Sequence, residues 1–168
     1  MSDGKSVLFV CIGNICRSPT AEAVFRAQVE KAGWSKLFTT DSAGTSSFHV
    51  GEPPDRRAQK HAQQRGYNLS SLRARHVGPM DFERFDLILC MEKSVLDTVL
   101  KLQKFARNNK AEVSLFLDYL PGHEGENVPD PYSRGEDTFE RVLDLVEAGS
   151  DALLRDLLKK QGVMSCGC

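Results

Sequence analysis

What the chain lacks narrows its function before any motif is read. No apolar run approaches the ~20 residues that a membrane-spanning helix needs. Neither sign of charge prevails: 22 Lys and Arg face 23 Asp and Glu, a formal net charge of −1. A global basic footprint for nucleic acid or an anionic membrane is therefore absent, and any anion must be held by a local site. Cysteine is sparse and odd in number, at Cys11, Cys16, Cys90, Cys166 and Cys168. That pattern excludes an evenly spaced disulfide framework, and Cys11 and Cys16 lie too far apart for a C-x-x-C pair. The four histidines, His49, His61, His76 and His123, show no ligand spacing, so surface or loop positions are expected for them and no metal site. Met1 to Ser6 carries no signal-peptide layout, and a cytoplasmic location is expected.

What is present reads as alternating strands and helices. Ser6–Cys11 is a short continuous apolar run, the mark of a strand buried on both faces. From Pro19 the residues Ala21, Val24, Phe25, Val29 and Ala32 recur at helical spacing until Gly33. A Thr-rich strand is expected over Phe38–Asp41, a Gly/Ser/Pro-rich loop over 42–54, and a polar helix over Asp55–Arg65 closed by Gly66. Asp81 to Asp86 reads as a solvated turn, and Phe85–Met91 as a third strand in which Cys90 is a small buried hydrophobe. A helix marked by Val95, Val99, Leu102 and Phe105 follows, then a weaker strand over Val113–Leu117. After a loop over 121–135, Phe139 to Leu158 keep one helical phase, so Gly149 should bend the last helix rather than break it. This order predicts one α/β domain over 1–168, with its core over about 6–160 and a flexible tail over 161–168 that includes Cys166 and Cys168. In an open parallel sheet, ligands bind beyond the carboxyl ends of the strands, where Cys11, the loop after Asp41, Met91 and the loop after Leu117 would gather.

Cys11 closes the first strand, and Arg17 stands at the far end of a C-x5-R spacing. Alone that spacing arises often by chance. Here a buried strand precedes it, Gly13 and Asn14 lie inside the loop, and Ser18-Pro19 opens a helix. Gly13 allows a positive φ or a close backbone approach, and Asn14 tolerates a left-handed conformation. Such a loop, Ile12, Gly13, Asn14, Ile15, Cys16, Arg17 and Ser18, can turn its N–H groups inward around a phosphoryl group at a helix N-terminus. A free thiol near pKa ~8.5 needs that positive field, and a hydrogen bond from Ser18, to attack phosphorus as a thiolate. Arg17 offers a planar fork for two phosphoryl oxygens. The leaving oxygen needs a proton, and Asp130, stiffened between Pro129 and Pro131, is the candidate acid.

At this point the sequence resembles the low-molecular-weight protein tyrosine phosphatase family. Cys11-Ile-Gly-Asn-Ile-Cys-Arg-Ser-Pro19 with Ala21-Glu22-Ala23 is similar to its phosphate-binding loop, and Asp41–Thr45, Val50-Gly51, Pro54-Asp55, Ala58, Phe85-Asp86, Leu89–Met91 and Asp130–Tyr132 follow in the family's order. The resemblance implies a three-layer sandwich about a four-stranded parallel sheet of flavodoxin-like topology. It implies a two-step reaction on a phosphotyrosine-containing protein or a small aryl phosphate, with inorganic phosphate as product and neither metal nor cofactor. Cys11 would be the nucleophile, Arg17 would hold the transferring group, and Asp130 would act as acid and then base. Cys16 would be the partner for a reversible protective disulfide, and Phe48 and Tyr132 would wall the cleft. The resemblance implies a monomer. Three positions depart from the pattern: Phe48 stands where tryptophan is common, Ser133 follows Tyr132 where a second tyrosine is frequent, and Leu72 takes the place of a loop-bracing histidine, work that Arg75 could do.

Three rival functions remain open on the sequence. Arsenate reduction shares this first loop but needs further thiols, for which only Cys166 and Cys168 are candidates. A protein-arginine phosphatase would carry threonine in place of Ile15, whose apolar side chain favours an aromatic ester. A silent phosphate-binding module would have no need to keep Cys11, Arg17 and Asp130 together.

Overall fold

The computed structural model of the chain describes residues 4–163. Four strands form one parallel sheet: β1 (Lys5–Cys11), β2 (Phe38–Gly44), β3 (Leu87–Cys90) and β4 (Glu112–Leu115). Their order is β2-β1-β3-β4, with β1 pairing in parallel with both β2 and β3. The chain thus leaves β1 to one side and returns to its other side. This reversal opens a crevice at the carboxyl end of β1, the switch point where open α/β sheets bind ligands.

Because side chains alternate along a strand, β1 feeds two cores. Val7 and Phe9 belong to a cluster with Val24, Phe25, Leu143 and Leu157 of helices α1 (Arg17–Lys31) and α5 (Glu136–Lys160). Leu8 and Val10 join Ile88, Val95 and Val99 on the opposite face, covered by α4 (Lys93–Gln103). Phe9 meets Phe25 and Phe116 edge-on at 5.8 and 5.9 Å, a favoured aromatic geometry. Helix α2 (Arg56–Gln64) packs against α5, and its first turn is capped by the Asp55 carboxylate, which accepts from the Arg57 N–H. The α/β sandwich with a central parallel sheet is as expected.

Several boundaries and one whole segment differ. Strand β2 runs to Gly44, into the expected loop, because it pairs residue for residue with β1 as far as Cys11. Strand β3 omits Phe85 and Met91, and β4 ends at Leu115 where Phe116–Tyr119 turn into a 3-10 helix. Residues 81–86 are not a solvated turn. Asp81–Arg84 form a short helix, α3, with Phe82 and Phe85 buried in the second core and the Asp81 carboxylate paired with Arg75. Helix α5 continues unbroken through Gly149, where a Cβ would sit 2.6 Å from the Phe116 ring. A close approach, rather than the helix's own geometry, demands glycine there.

His61 also overturns its expectation. It is 6 % exposed, stacked flat on Phe139 at 5.5 Å, with Nδ1 paired to Glu140 of α5. Cys90 is fully buried as expected, and burial pushes its thiol up to about 12. No helix among the described residues is long and apolar enough to cross a membrane. Cys166, Cys168 and the expected flexible end 164–168 lie outside the described residues.

Candidate active site

The loop between β1 and α1 is shaped by where its carbonyls go. The Cys11 and Ile12 carbonyls accept from the N–H groups of Thr45 and Ser46, and the Ile15 carbonyl accepts from Asp55 N–H. With the carbonyls tied outward, the N–H groups turn in: that of Asn14 reaches Cys11 Sγ at 3.3 Å. Gly13 does not take the positive φ; Asn14 does, at 57°. The cost of about 1 kcal/mol or more for a non-glycine residue in that region is offset by its side chain. Asn14 Oδ1 accepts from Arg75 N–H at 2.9 Å, and Nδ2 donates to Ser18 and Ser42 hydroxyls at 2.8 and 3.0 Å.

Ser18 Oγ accepts from Asn14 and lies 3.0 Å from Cys11 Sγ, with the Ala43 carbonyl a more distant acceptor for its hydrogen at 3.4 Å. Ser42 in turn donates to Glu22 at 2.7 Å. Burial raises the Glu22 carboxyl above its ordinary value, against the pull of Ser42 and Arg26. The network of Asn14, Ser18, Ser42 and Glu22 is almost wholly withdrawn from water, which strengthens each bond.

Arg17 is 2 % exposed and aimed by three partners. It donates to the Val128 carbonyl at 2.9 Å and to Glu92 at 3.3 Å, and lies 3.7 Å from Asp130. Asp130 stands half-exposed on its loop, with Oδ1 accepting from Tyr132 N–H at 3.1 Å. The cleft is floored by Cys11, Ile12, Gly13, Ile15, Cys16 and Arg17, flanked by Ser46, Phe48 and His49, and closed by Asp130 and Tyr132. Phe48 and Tyr132 stand out at 81 % and 51 % exposure, leaving broad apolar faces at the mouth. Burial, then the charges of Asp55, Cys11 and Asp130, push the Cys16 thiol far up, so it stays protonated.

The candidate site residues Cys11 to Ser18, Phe48, Asp130 and Tyr132 all lie at this cleft or in the loop that supports it. Leu72 instead packs against the first core, and Arg75 braces the loop through its main-chain N–H while its side chain binds Asp41 and Asp81. Sequence reasoning missed Glu92, Ser42, His49 and Gly44. His49, only 18 % exposed, lies between the Phe48 and Tyr132 rings, with Nδ1 2.5 Å from Glu52. Gly44 lets β2 approach the loop; a Cβ there would sit 2.6 Å from the Ile12 carbonyl oxygen. Glu92 directly after Met91 was the one legible signal, since the sheet's carboxyl edge was already assigned. No cluster of three or more His, Cys, Asp or Glu able to hold a metal occurs among the described residues.

The family model described as low molecular weight phosphotyrosine protein phosphatase matches residues 6–163. The chain belongs to that family. A low molecular weight protein-tyrosine-phosphatase of Streptomyces coelicolor is 45 % identical over 150 residues, covering 88 % of this chain and 90 % of the relative. The crystal structure of YfkJ from Bacillus subtilis superposes with a TM-score of 0.85 at 34 % identity, covering 95 % of this chain and 98 % of that one. The crystal structure of the Drosophila arginine phosphatase DARP gives 0.84 at 31 %, covering 90 % and 96 %. This member of a phosphatase family thus keeps the four-stranded parallel sheet and the loop that opens α1.

Proposed function

We propose that this family member hydrolyses phosphotyrosine in proteins, and small aryl phosphates, through a phosphocysteine intermediate. The observation that carries the reading is the convergence of Cys11 Sγ, the Arg17 guanidinium and the Asp130 carboxyl on one cleft between two aromatic walls. Cys11 Sγ, polarised by Ser18 and the inward N–H of Asn14, attacks phosphorus in line with the ester oxygen. The S–P bond forms as the P–O bond breaks, and Asp130 passes its proton to the departing phenolate. Asp130 then takes a proton from water, which attacks the phosphocysteine and releases inorganic phosphate and the thiolate. Arg17 binds equatorial oxygens through the loose transition state, where positioning and charge do most of the work.

The apolar lining, Ile12, Ile15, Phe48 and Tyr132, supports an aromatic ester. The likeness to DARP favours one second reading, phosphoarginine, in which the same loop would hold a phosphoramidate. Arsenate reduction has no support among the described residues, since Cys90 is buried inside β3. The reaction uses no metal or cofactor, and a cytoplasmic monomer acting alone fits it.

One set of assays tests this. Hydrolysis of p-nitrophenyl phosphate in EDTA should be lost in Cys11→Ser, by at least about a thousandfold. A phosphotyrosine peptide should be turned over faster than a phosphoarginine peptide. Retained activity in the serine variant would refute the nucleophile, and a preference for phosphoarginine would replace the substrate.

A further inference from the structure

Asp130 stands on a loop that must be held against the phosphate loop, yet among the described residues its carboxylate makes no hydrogen bond to another element. Its loop is anchored on one side at the sheet, where Val128 N–H donates to the Met91 carbonyl at 2.8 Å and the Val128 carbonyl accepts from Arg17. Two residues beyond Asp130, the Tyr132 carbonyl accepts from Arg57 Nη2 at 2.9 Å. That same guanidinium grips Asp55 with Nε at 3.1 Å and Nη2 at 3.0 Å. Asp55 N–H in turn holds the Ile15 carbonyl of the phosphate loop at 2.9 Å. A single side chain on α2 therefore ties the acid's loop to the nucleophile's loop.

Arg57 is itself held in place. Its guanidinium lies 4.9 Å from the Phe139 ring centre and 5.8 Å from that of Tyr132, between the start of α5 and the cleft wall. Phe139 is backed on its other neighbour by the flat stack with His61. A planar fork fills this slot in a way a lysine ammonium cannot.

We propose that Arg57 is the positioning residue of the general acid, setting the reach of Asp130 over the phosphoryl group by clamping Tyr132 to Asp55. The proposal rests on the assignment of Asp130 as acid. It predicts a defect that appears only when the leaving group needs a proton, because the phosphate loop keeps its other bonds.

The test measures kcat/KM, which reports the first irreversible step, for aryl phosphates from p-nitrophenyl to phenyl. Arg57→Gln should lose less than about threefold on the good leaving group and about tenfold or more on the poor one. Arg57→Lys should fall between, since one donor can still reach the Tyr132 carbonyl. In an Asp130→Asn background, Arg57→Gln should add no further leaving-group dependence. Arg56→Gln, an exposed neighbour on α2, should change neither ester. Equal losses on both esters, or additivity with Asp130→Asn, would overturn the clamp. If Asp130→Asn itself loses equally on all esters, the acid assignment falls and the clamp with it. Should Arg57→Gln fail to fold, Arg57→Lys carries the same comparison.

Discussion

The division of labour proposed for Cys11 and Cys16 rests on two environments five residues apart. Cys11 Sγ lies 3.0 Å from the Ser18 hydroxyl and accepts from the Asn14 N–H at 3.3 Å. Cys16 is buried near Asp55 and Asp130, which oppose its ionisation, and the role proposed for it is that of a thiol that responds only after Cys11 has been oxidised. Peroxide would convert the Cys11 thiolate to sulfenic acid, and Cys16 would displace hydroxide to give a disulfide and water. A thiol reductant should then restore most activity in the native protein but far less in Cys16→Ser, each normalised to its own activity before peroxide. Equal recovery in both would leave Cys16 without that role. At this scale the shape of the loop was legible in the sequence, because C-x5-R with Gly, Asn and Ser-Pro is a local pattern that ends a strand and opens a helix. The Asn14–Ser42 and Ser42–Glu22 bonds were not legible, since 28 and 20 residues of chain separate partners that meet only after β2 has paired with β1.

At the scale of elements, apolar periodicity gave the existence and type of the four strands and the longer helices but not of α3, and hydrogen-bonded partners moved the boundaries. Strand β2 is polar at Thr39, Thr40 and Asp41, so its own residues could not announce that it continues to Gly44. Residues 81–86 alternate charge with phenylalanine; only the second core reveals that Phe82 and Phe85 point inward and that Arg75 satisfies Asp81. The start of the sheet is pinned by Asp86, whose carboxylate accepts from Ser6 N–H at 2.9 Å and from the Ser6 hydroxyl at 3.1 Å. Partial burial raises its pKa, but the Ser6 bonds, aided by Lys110 and Lys5, win and hold it below the ordinary aspartate value. A depressed acid stabilises the fold above its unfolded pKa and loses that contribution as pH falls through the folded one. Asp86→Asn should therefore cost about 1 kcal/mol at pH 7. Urea titrations should show that difference shrinking as pH drops below 3.8, the value from which it is displaced. A difference that stays constant down to pH 2.5 would mean the charge contributes nothing.

At the scale of the molecule, α5 spans one face and locks onto the sheet through a contact with no room to spare. The Phe116 ring lies where the Cβ of residue 149 would be. Gly149→Ala gains helix propensity of about 1 kcal/mol but forces the ring or the helix to move, at about 1–3 kcal/mol. A net loss is expected, read as a fall of a few degrees in Tm. Unchanged or higher Tm would show that Phe116 swings aside freely. The polar seam between α2 and α5, with His61 on Glu140 and Arg65 on Glu140 and Glu147, belongs to this scale as well. It is why a histidine with no local signal is buried.

The sequence by itself determined the α/β class, the buried β1 and the short loop that opens α1, and it supplied Cys11, Arg17 and Asp130 as the proposed site residues. Each follows from interactions among near neighbours: alternation along a strand, helical spacing, and a loop short enough to have few conformations. Only the tertiary structure decided that Glu92 and the Val128 carbonyl aim Arg17, that Arg75 braces Asn14 through its backbone, and that Arg57 bridges two loops. These are contacts between residues 61 to 111 positions apart. No local pattern encodes them, because they come into being when the sheet's strand order brings its carboxyl edge together.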